Sequence, residues 1–153
     1  MSVTDRTVHR CGPLLDHLGR LTRLRCESVL APLGLRPRHL VALTVLRDTG
    51  CSTQQALAAS LAMDGTNVVG LLNDLEGDNL IQRRRSPEDR RRHVVELTEA
   101  GLERLAKAEL AMAAVEDEVL AKLDPEQRKT LYELLHLAAS NHAVDCAAAA
   151  ADC

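Results

Sequence analysis

Apolar residues recur at helical spacing through the first sixty positions of the chain. They predict one helix from about residue 14 to 33, a second that begins near Pro37, and a short third that ends near Leu61. Pro37 suits a first helical turn because its φ is preset. The first helix has its apolar positions at Leu14, Leu18, Leu21, Val29 and Leu33, and the residues expected to be buried in the next two are Leu40, Leu43, Leu46, Ala56, Leu57 and Leu61.

Side chains that can cap free main-chain N–H groups mark the starts of the next two helices. Ser52 and Gln55 have the spacing of a capping box before the third helix, and Asp64 precedes a fourth. Asn79 stands where the chain leaves that fourth helix, and asparagine tolerates the left-handed conformation that such an exit often needs. Two helices joined by a tight turn predict a helix-turn-helix, with an inward face of Val68, Leu71, Leu72 and Leu75.

The pattern changes after Asn79 to short β-type runs. Residues 80–84 and 93–97 predict two strands, and Ser86-Pro87-Glu88-Asp89 supplies the turn between them. Thr98 is expected to cap a long helix that ends near Leu123. A cap, a first-turn proline and Gln127 then begin a last helix, at Asp124-Pro125, that extends to about Val144.

The fold class predicted by this order is mainly α with a small β-hairpin wing. We expect one domain over residues 1–153, with a winged helix-turn-helix lobe at about 35–98 and a helical dimerisation region formed by about 10–34 with 99–145. A domain of this size offers little surface to cover the apolar face of the last helix, so we expect a homodimer. The alternative is a monomeric bundle that covers the face itself, which comprises Leu131, Leu134, Leu135 and Ala138.

Composition and charge narrow the function classes. Tyr132 is the only aromatic residue, which argues against recognition of single-stranded nucleic acid by base stacking. The net charge is −3, yet residues 83–92 hold six arginines against Glu88 and Asp89. A small basic finger on a neutral or acidic body indicates a local contact with phosphates, although a solvated charge run is a common alternative.

The sequence lacks the motifs that several other classes of protein require. The sequence has no signal peptide or membrane span, and its five cysteines form no CxxC pair, which together predict a reduced cytoplasmic protein. A phosphate-binding loop, a nucleophile elbow and a zinc-hydrolase motif are also missing, so we expect neither an enzyme nor a cofactor. A helical interaction dimer that does not bind DNA stays open, but it would leave the basic finger without a purpose.

The residues resemble the MarR (multiple antibiotic resistance regulator) family of bacterial winged-helix transcription factors over most of the chain. The resemblance is most specific in a series of short motifs: Leu57-Ala58, Leu71-Leu72-Asn73-Asp74-Leu75-Glu76, Leu80-Ile81-x-Arg83, Pro87-Glu88-Asp89-Arg90-Arg91 and Leu97-Thr98-Glu99-Ala100-Gly101. It implies a homodimer whose recognition helices enter successive major grooves while the wings reach the flanking minor grooves.

The resemblance also implies which residues contact double-stranded DNA. Asp89 and Arg91 match the Asp-x-Arg motif of the family's wing, and we expect Asp89 to hold the Arg91 guanidinium extended. Family members often carry a basic residue in the middle of the recognition helix, where this chain has Gly70, so base reading is expected to depend on polar side chains. The further candidates for DNA contacts are Thr53, Thr66, Asn67, Asn73, Arg84, Arg85 and Arg90.

By the same resemblance, a small anionic or aromatic effector is expected in a crevice near the first, second and fifth helices. Arg20, Arg23 and His39 are the candidate contacts, and each has a structural alternative as a solvated or helix-capping residue. The function expected is a repressor that binds a pseudo-palindromic promoter site as a homodimer and leaves it when the effector binds.

Redox and metal control are the alternatives within the same fold. Redox sensing would depend on Cys11, Cys26 or Cys51, none of which has a tyrosine near it in the sequence. Metal binding would depend on His142 and Cys146, together with His9 and Cys11 near the other end. Their spacing is weak evidence, so no metal site is predicted.

Overall fold

A computed structural model describes residues 9–140, and its helices and the two strands of the wing follow in the predicted order, with one further short strand before the third helix. The helices of the described part are α1 (Cys11–Leu30), α2 (Pro37–Thr49), α3 (Gln54–Ser60), α4 (Gly65–Gly77), α5 (Glu99–Val119) and α6 (Pro125–Ala139), with a 3-10 turn at Ala31–Leu33. The strands are β1 (Cys51–Thr53), β2 (Ile81–Arg85) and β3 (His93–Leu97). The expected end of the last helix near Val144 lies outside the described residues.

Most of the predicted helix boundaries are fixed by the side chains named in the sequence. Asp64 accepts a hydrogen bond from the Asn67 N–H at 2.8 Å, and Asp124 forms a reciprocal capping box with Gln127. Asn79 has a φ of 59°, the left-handed exit expected after α4. Each contact satisfies a main-chain group that the helix itself leaves unpaired, which is why these boundaries were predictable.

The capping box predicted at Ser52 and Gln55 is wrong by one residue. Thr53 caps α3, and its Oγ1 accepts a hydrogen bond from the Ala56 N–H at 3.1 Å. Ser52 is buried in β1, opposite Val95 of β3. The strand takes Ser52 away from the helix start, and the next hydroxyl serves as the cap.

The strand β1 makes the wing part of a three-stranded antiparallel sheet in the order β1-β3-β2. Thr53 pairs with Val94, and Arg83 of β2 pairs with Val95. The sequence predicted only the hairpin, because three residues are too few to show a β-type alternation. The sheet therefore bonds the base of the wing directly to the start of α3.

The core joins the helices of the helix-turn-helix to the sheet and to α5. Its fully buried members are mainly leucines, as the lack of aromatic residues required, and they include Leu30, Leu43, Leu46, Leu57, Leu72, Leu75, Leu80, Ile81 and Leu105. Within residues 9–140, no single helix is long and apolar enough to cross a membrane, and only the bent pair of α1 with its 3-10 turn and α2 meets that test together.

Helix α6 buries none of its residues in the single chain. Leu134 and Leu137 expose 60% and 70% of their surface, and Leu110 of α5 exposes 75%. Tyr132 is also exposed, and its ring stacks on His136 with the centroids 5.7 Å apart. Of the apolar face expected to lie in a dimer interface, Leu134 is uncovered in one chain, whereas Leu131 and Leu135 line an apolar cavity against the other helices.

The start of α5 packs against the chain just before β2. The Gly101 N–H donates to the Thr98 Oγ1 at 3.0 Å, while the Thr98 hydroxyl donates to the Asn79 carbonyl oxygen at 2.7 Å. A Cβ on Gly101 would lie 2.0 Å from the Leu80 carbonyl oxygen. Only glycine permits this approach, so residue 101 determines how closely α5 sits on the wing.

Replacing this glycine is expected to destabilise the fold. Gly101→Ala gains helix propensity but forces α5 away from the Leu80 carbonyl, so we expect a net loss of about 1–3 kcal/mol in the free energy of unfolding. Urea denaturation measures it. Gly70→Ala is the control, because a Cβ there meets nothing within 4 Å. Equal stability of the Gly101 variant and the wild type would contradict this packing argument.

Candidate nucleic-acid interface

The amino end of α4 presents exposed polar groups on a fixed turn. Asp64 holds both the Asn67 N–H, at 2.8 Å, and the Asn67 side-chain amide, at 2.9 Å. Thr66 and Gly70 are exposed on the same helix, while Val68 is buried and fastens the helix to the core. The structure therefore places Thr66 and Asn67 on the outside of the recognition helix, as the sequence predicted.

The wing tip is a closed loop between β2 and β3. The Ser86 N–H donates to the Arg92 carbonyl oxygen at 2.9 Å, and the Arg92 N–H donates to the Asp89 carbonyl oxygen at 3.0 Å. Ser86 is buried in this loop, whereas Arg90 and Arg91 are exposed. The loop gives the tip a defined shape from which the arginines project.

Asp89 acts differently from the expected side-chain clamp. Its Oδ1 accepts a hydrogen bond from the main-chain N–H of Arg91 at 3.0 Å. The carboxylate thus shapes the backbone that carries the arginine, and the expected contact with the guanidinium is not the one formed. An aspartate two residues before its partner favours this local bond, which closes a small turn.

The strand arginines differ in their surroundings. Arg84 and Arg85 are exposed, and Arg84 Nε lies 3.4 Å from a Glu96 carboxylate oxygen that also accepts a hydrogen bond from Gln82 at 2.7 Å. Ion pairs this exposed contribute little to stability. Arg84 is consequently able to exchange its partner for a phosphate at small cost.

A cleft of about 500 Å³ separates the wing from the helix-turn-helix. One wall holds Arg91, Arg92 and His93, the other holds Gln54 and Gln55 of α3, and the start of α4 closes the end. Thr53 also lines this cleft, but it is buried and its hydroxyl oxygen is already the cap of α3. Cationic and amide groups thus face each other across a gap, while Thr53 mainly supports the wall.

Asn73 lies away from this cleft, on the side of α4 that faces β2. Its Oδ1 accepts a hydrogen bond from Arg83 at 2.5 Å, and the Arg83 guanidinium also binds both carboxylate oxygens of Glu76. The hydrogen bonds from Arg83 lower the pKa of the Glu76 carboxyl, and desolvation opposes them only in part. Arg83 was expected only as one of the six arginines of the basic finger, although its place two residues after the buried Ile81 puts it on the inner side of the strand.

The three predicted effector residues do not lie together. Arg23 lines an apolar cavity of about 830 Å³ between α1, α2, α5 and α6. Arg20 is exposed outside it and pairs with Asp16 at 3.0 Å. His39 lies in a separate recess, where its Nδ1 accepts a hydrogen bond from the Arg36 N–H at 3.0 Å. Arg20 and His39 therefore have the structural roles named as alternatives, and only Arg23 is in the cavity.

An ion pair connects this cavity to the DNA-binding lobe. Glu109 of α5 lines the cavity and accepts a hydrogen bond from Arg47 at the end of α2. Glu109 and then Asp48 raise the pKa of the Arg47 guanidinium further above its usual value. Arg47 stays charged at every accessible pH, so it holds α2 and α5 together at one wall of the cavity.

The cysteines and histidines provide no sensor cluster in the described part of the chain. Burial raises the pKa of the Cys26 thiol, which disfavours the reactive thiolate, and Cys11 is exposed and free. Cys51 is disulfide-bonded, so the expectation that all cysteines are reduced is wrong there. No three potential metal ligands meet among the described residues, and His142 and Cys146 lie outside them.

Comparisons of the sequence and of the structure with known proteins agree on one family. The model of the MarR family matches residues 35–93. A "Putative transcriptional regulatory protein for hcr operon" from Thauera aromatica is 34% identical over 128 residues, which are 81% of this chain and 77% of that protein.

Solved structures agree on the fold. MarR from E. coli superposes with a TM-score of 0.76 at 21% identity, covering 85% of this chain and 96% of that one. A mutant of the same protein complexed with operator DNA gives 0.71 at 20% identity, over 90% and 99%. CouR from Rhodococcus jostii RHA1 bound to p-coumaroyl-CoA gives 0.69 at 22% identity, over 84% and 91%.

The helix-turn-helix, the basic wing on a three-stranded sheet and the two flanking helices thus have the same arrangement in proteins of one family. The chain is a winged-helix transcriptional regulator rather than an enzyme, and it belongs to the MarR family.

Proposed function

We propose that the chain is a repressor that binds a pseudo-palindromic promoter site as a homodimer and is released by a small effector. The observation that carries this proposal is the cleft between the exposed start of α4 and the arginines of the wing. One edge offers hydroxyl and amide groups of the kind that read base edges, and the other offers guanidinium groups that suit phosphates and narrow minor grooves. A dimer bound over a promoter blocks polymerase by occupying its site.

The docking geometry follows from the sizes of the elements. A single helix fills a major groove, so α4 enters there with Thr66 and Asn67 leading. The wing tip with Arg90 and Arg91 then meets the adjacent minor groove, where narrow width favours arginine. Two copies related by a two-fold axis place their α4 helices about one helical turn apart, on the order of 10 base pairs.

The second copy is proposed to cover the uncovered face of α6. Leu134 and Leu137 lie one turn apart on it, and Leu14 of α1 and Leu110 of α5 are also exposed. Leucines exposed to this extent on three helices are typical of an interface. A self-complementary patch satisfies both copies at once, which is how two-fold dimers form.

The effector is proposed to bind in the apolar cavity next to Arg23. A volume of about 830 Å³ is within the range of cavities that enclose small organic ligands. Arg23 is the single arginine or lysine among the described residues that line it, and Glu109 of the same wall is already paired with Arg47. An aromatic molecule with one carboxylate matches this wall, and the structural relative CouR was solved with an aromatic acyl thioester, p-coumaroyl-CoA.

Release follows if the effector prefers one arrangement of the two lobes. The cavity touches α2 of the DNA-binding lobe and α5 and α6 of the dimerisation region. A ligand that fits only when these helices move apart shifts the spacing of the two α4 helices in the dimer, and it does so by its difference in affinity for the two states.

Removal of the wing arginine tests the DNA contact. Arg91→Ala is expected to weaken binding to the operator by about 1–3 kcal/mol and to lower the slope of log K against log salt by about one per protomer. Fluorescence anisotropy over a salt series measures both. Lys122→Ala, an exposed cation of the dimerisation region, is the control. An unchanged affinity for Arg91→Ala at matched salt would remove the wing from the proposal.

A charge placed on the face of α6 tests the dimer. Leu134→Asp puts a carboxylate in the proposed interface, so we expect monomers or unfolded chain by sedimentation velocity, because an unpaired buried charge is costly. Leu102→Asp, at a leucine of α5 that is 47% exposed, should stay dimeric. A folded dimer of the Leu134 variant would show that the interface lies elsewhere.

Arg23 is tested with a matched pair of ligands. Arg23→Gln is expected to weaken binding of p-coumarate by about 1 kcal/mol, a typical value for a partly solvated ion pair, and to leave its methyl ester unaffected. Titration calorimetry compares them, with Arg20→Gln as a control on the same helix outside the cavity. Equal losses for acid and ester would mean that Arg23 supports the fold and does not bind the carboxylate.

A further inference from the structure

The motif Leu80-Ile81-x-Arg83 contains one arginine that the DNA interface does not use. The geometry points to Arg83 as a positioning residue, which fixes the wing at one angle to the recognition helix α4 and makes no contact with DNA itself. This inference rests on the proposed function, since it concerns how the two DNA-binding elements are held relative to each other.

Arg83 makes a three-point contact with one face of α4. Its Nε lies 3.2 Å from Glu76 Oε2, and its Nη2 lies 3.1 Å from Glu76 Oε1 and 2.5 Å from Asn73 Oδ1. A guanidinium that binds both oxygens of a carboxylate is held in orientation as well as in distance. The contact therefore defines an angle between the strand and the helix.

The neighbouring arginines show how different this position is. The Arg83 side chain is 20% exposed, whereas that of Arg84 is 47% exposed. Successive residues of a strand face opposite sides, so Arg83 points back to α4 with the buried Ile81 while Arg84 points outward. Glu76 and Asn73 are three residues apart and share the face of α4 that meets Arg83.

The connection between α4 and β2 is short. Only Asp78, Asn79 and Leu80 separate α4 from β2, and Asn79 already adopts a left-handed conformation. Among the side-chain hydrogen bonds of the described residues, those of Arg83 are the ones that tie α4 to β2. Without them the helix and the strand keep the hydrophobic packing beneath and the main-chain bond from the Leu80 N–H to the Leu75 carbonyl oxygen at 2.9 Å, but no side chain that fixes the angle between them.

The contact also restricts what Asn73 can do on DNA. Arg83 occupies one acceptor position of the Asn73 carbonyl oxygen and so fixes the orientation of the amide, which leaves the NH₂ group as the part more readily offered to a base or a phosphate. This favours a donated hydrogen bond from Asn73 over the two-way reading of a base edge.

Positioning and direct contact predict opposite effects of the same neutral substitution. If Arg83 positions the wing, Glu76→Gln weakens operator binding, because it loosens the same fork. If Arg83 binds phosphate, Glu76→Gln strengthens binding, since it removes a negative charge that competes with DNA for the guanidinium. The sign of the change in operator affinity therefore separates the two roles without a substitution of Arg83 itself.

The experiment measures operator affinity over a salt series for Glu76→Gln, Arg83→Met, the double variant, and Arg84→Met as the matched control on the same strand. We expect Glu76→Gln and Arg83→Met each to bind about tenfold more weakly with an unchanged salt slope, and the double variant to lose no more than either alone. Arg84→Met should lower the slope by about one per protomer. Thermal unfolding identifies any variant that fails to fold. If Arg83→Met fails, the operator affinity of Glu76→Gln, a substitution that keeps the side-chain volume, still distinguishes positioning from direct contact.

Three results would overturn the inference: tighter binding by Glu76→Gln, a lower salt slope for Arg83→Met, or additive losses in the double variant. These outcomes are distinct from failure of the proposed function. In that case the wild-type homodimer itself would bind operator no better than random duplex, and the Arg84 control would show no change of slope.

Discussion

The close approach of Gly101 to the Leu80 carbonyl joins α5 to the recognition helix and the wing, and the rest of the structure depends on this packing. There the exit of the recognition helix, the start of the wing and the first turn of α5 meet within a few residues, with Thr98 bonded to the Asn79 carbonyl oxygen. Helix α5 continues from this point along the cavity to the region proposed for dimerisation. This contact, which admits no side chain, thus sets the position of the DNA-binding elements relative to the rest of the chain together with the ion pair between Arg47 and Glu109.

Two kinds of polar contact complete the DNA-binding lobe, and they act at different ranges. Asp89 and Asp64 each bond to main-chain groups within three residues and shape the wing tip and the start of α4. Arg83 and Arg47 reach across elements to Glu76 and Glu109. Hydrogen bonds between near neighbours in the sequence shape each element, whereas the ion pairs between elements fix their relative orientation.

This division explains how much the sequence could predict. Helix order, the cap at Asp64 and the left-handed exit at Asn79 were predictable, because they depend on neighbours in the chain. The strand β1 and the burial of Thr53 were missed, since they depend on pairing with β3 forty residues later. The same limit applies to Arg83 and to the separation of Arg20, Arg23 and His39, for spacing along a chain does not show which side chains share a cavity.

The absence of all aromatic residues except Tyr132 has a practical consequence. That tyrosine stands exposed and stacks on His136 in α6, the helix proposed to meet a second copy. Its ultraviolet emission is thus free of interference from any tryptophan or phenylalanine in the chain. Association through this helix would change the exposure of Tyr132 to water. Dissociation of the dimer on dilution can therefore be followed by tyrosine fluorescence, without an attached dye.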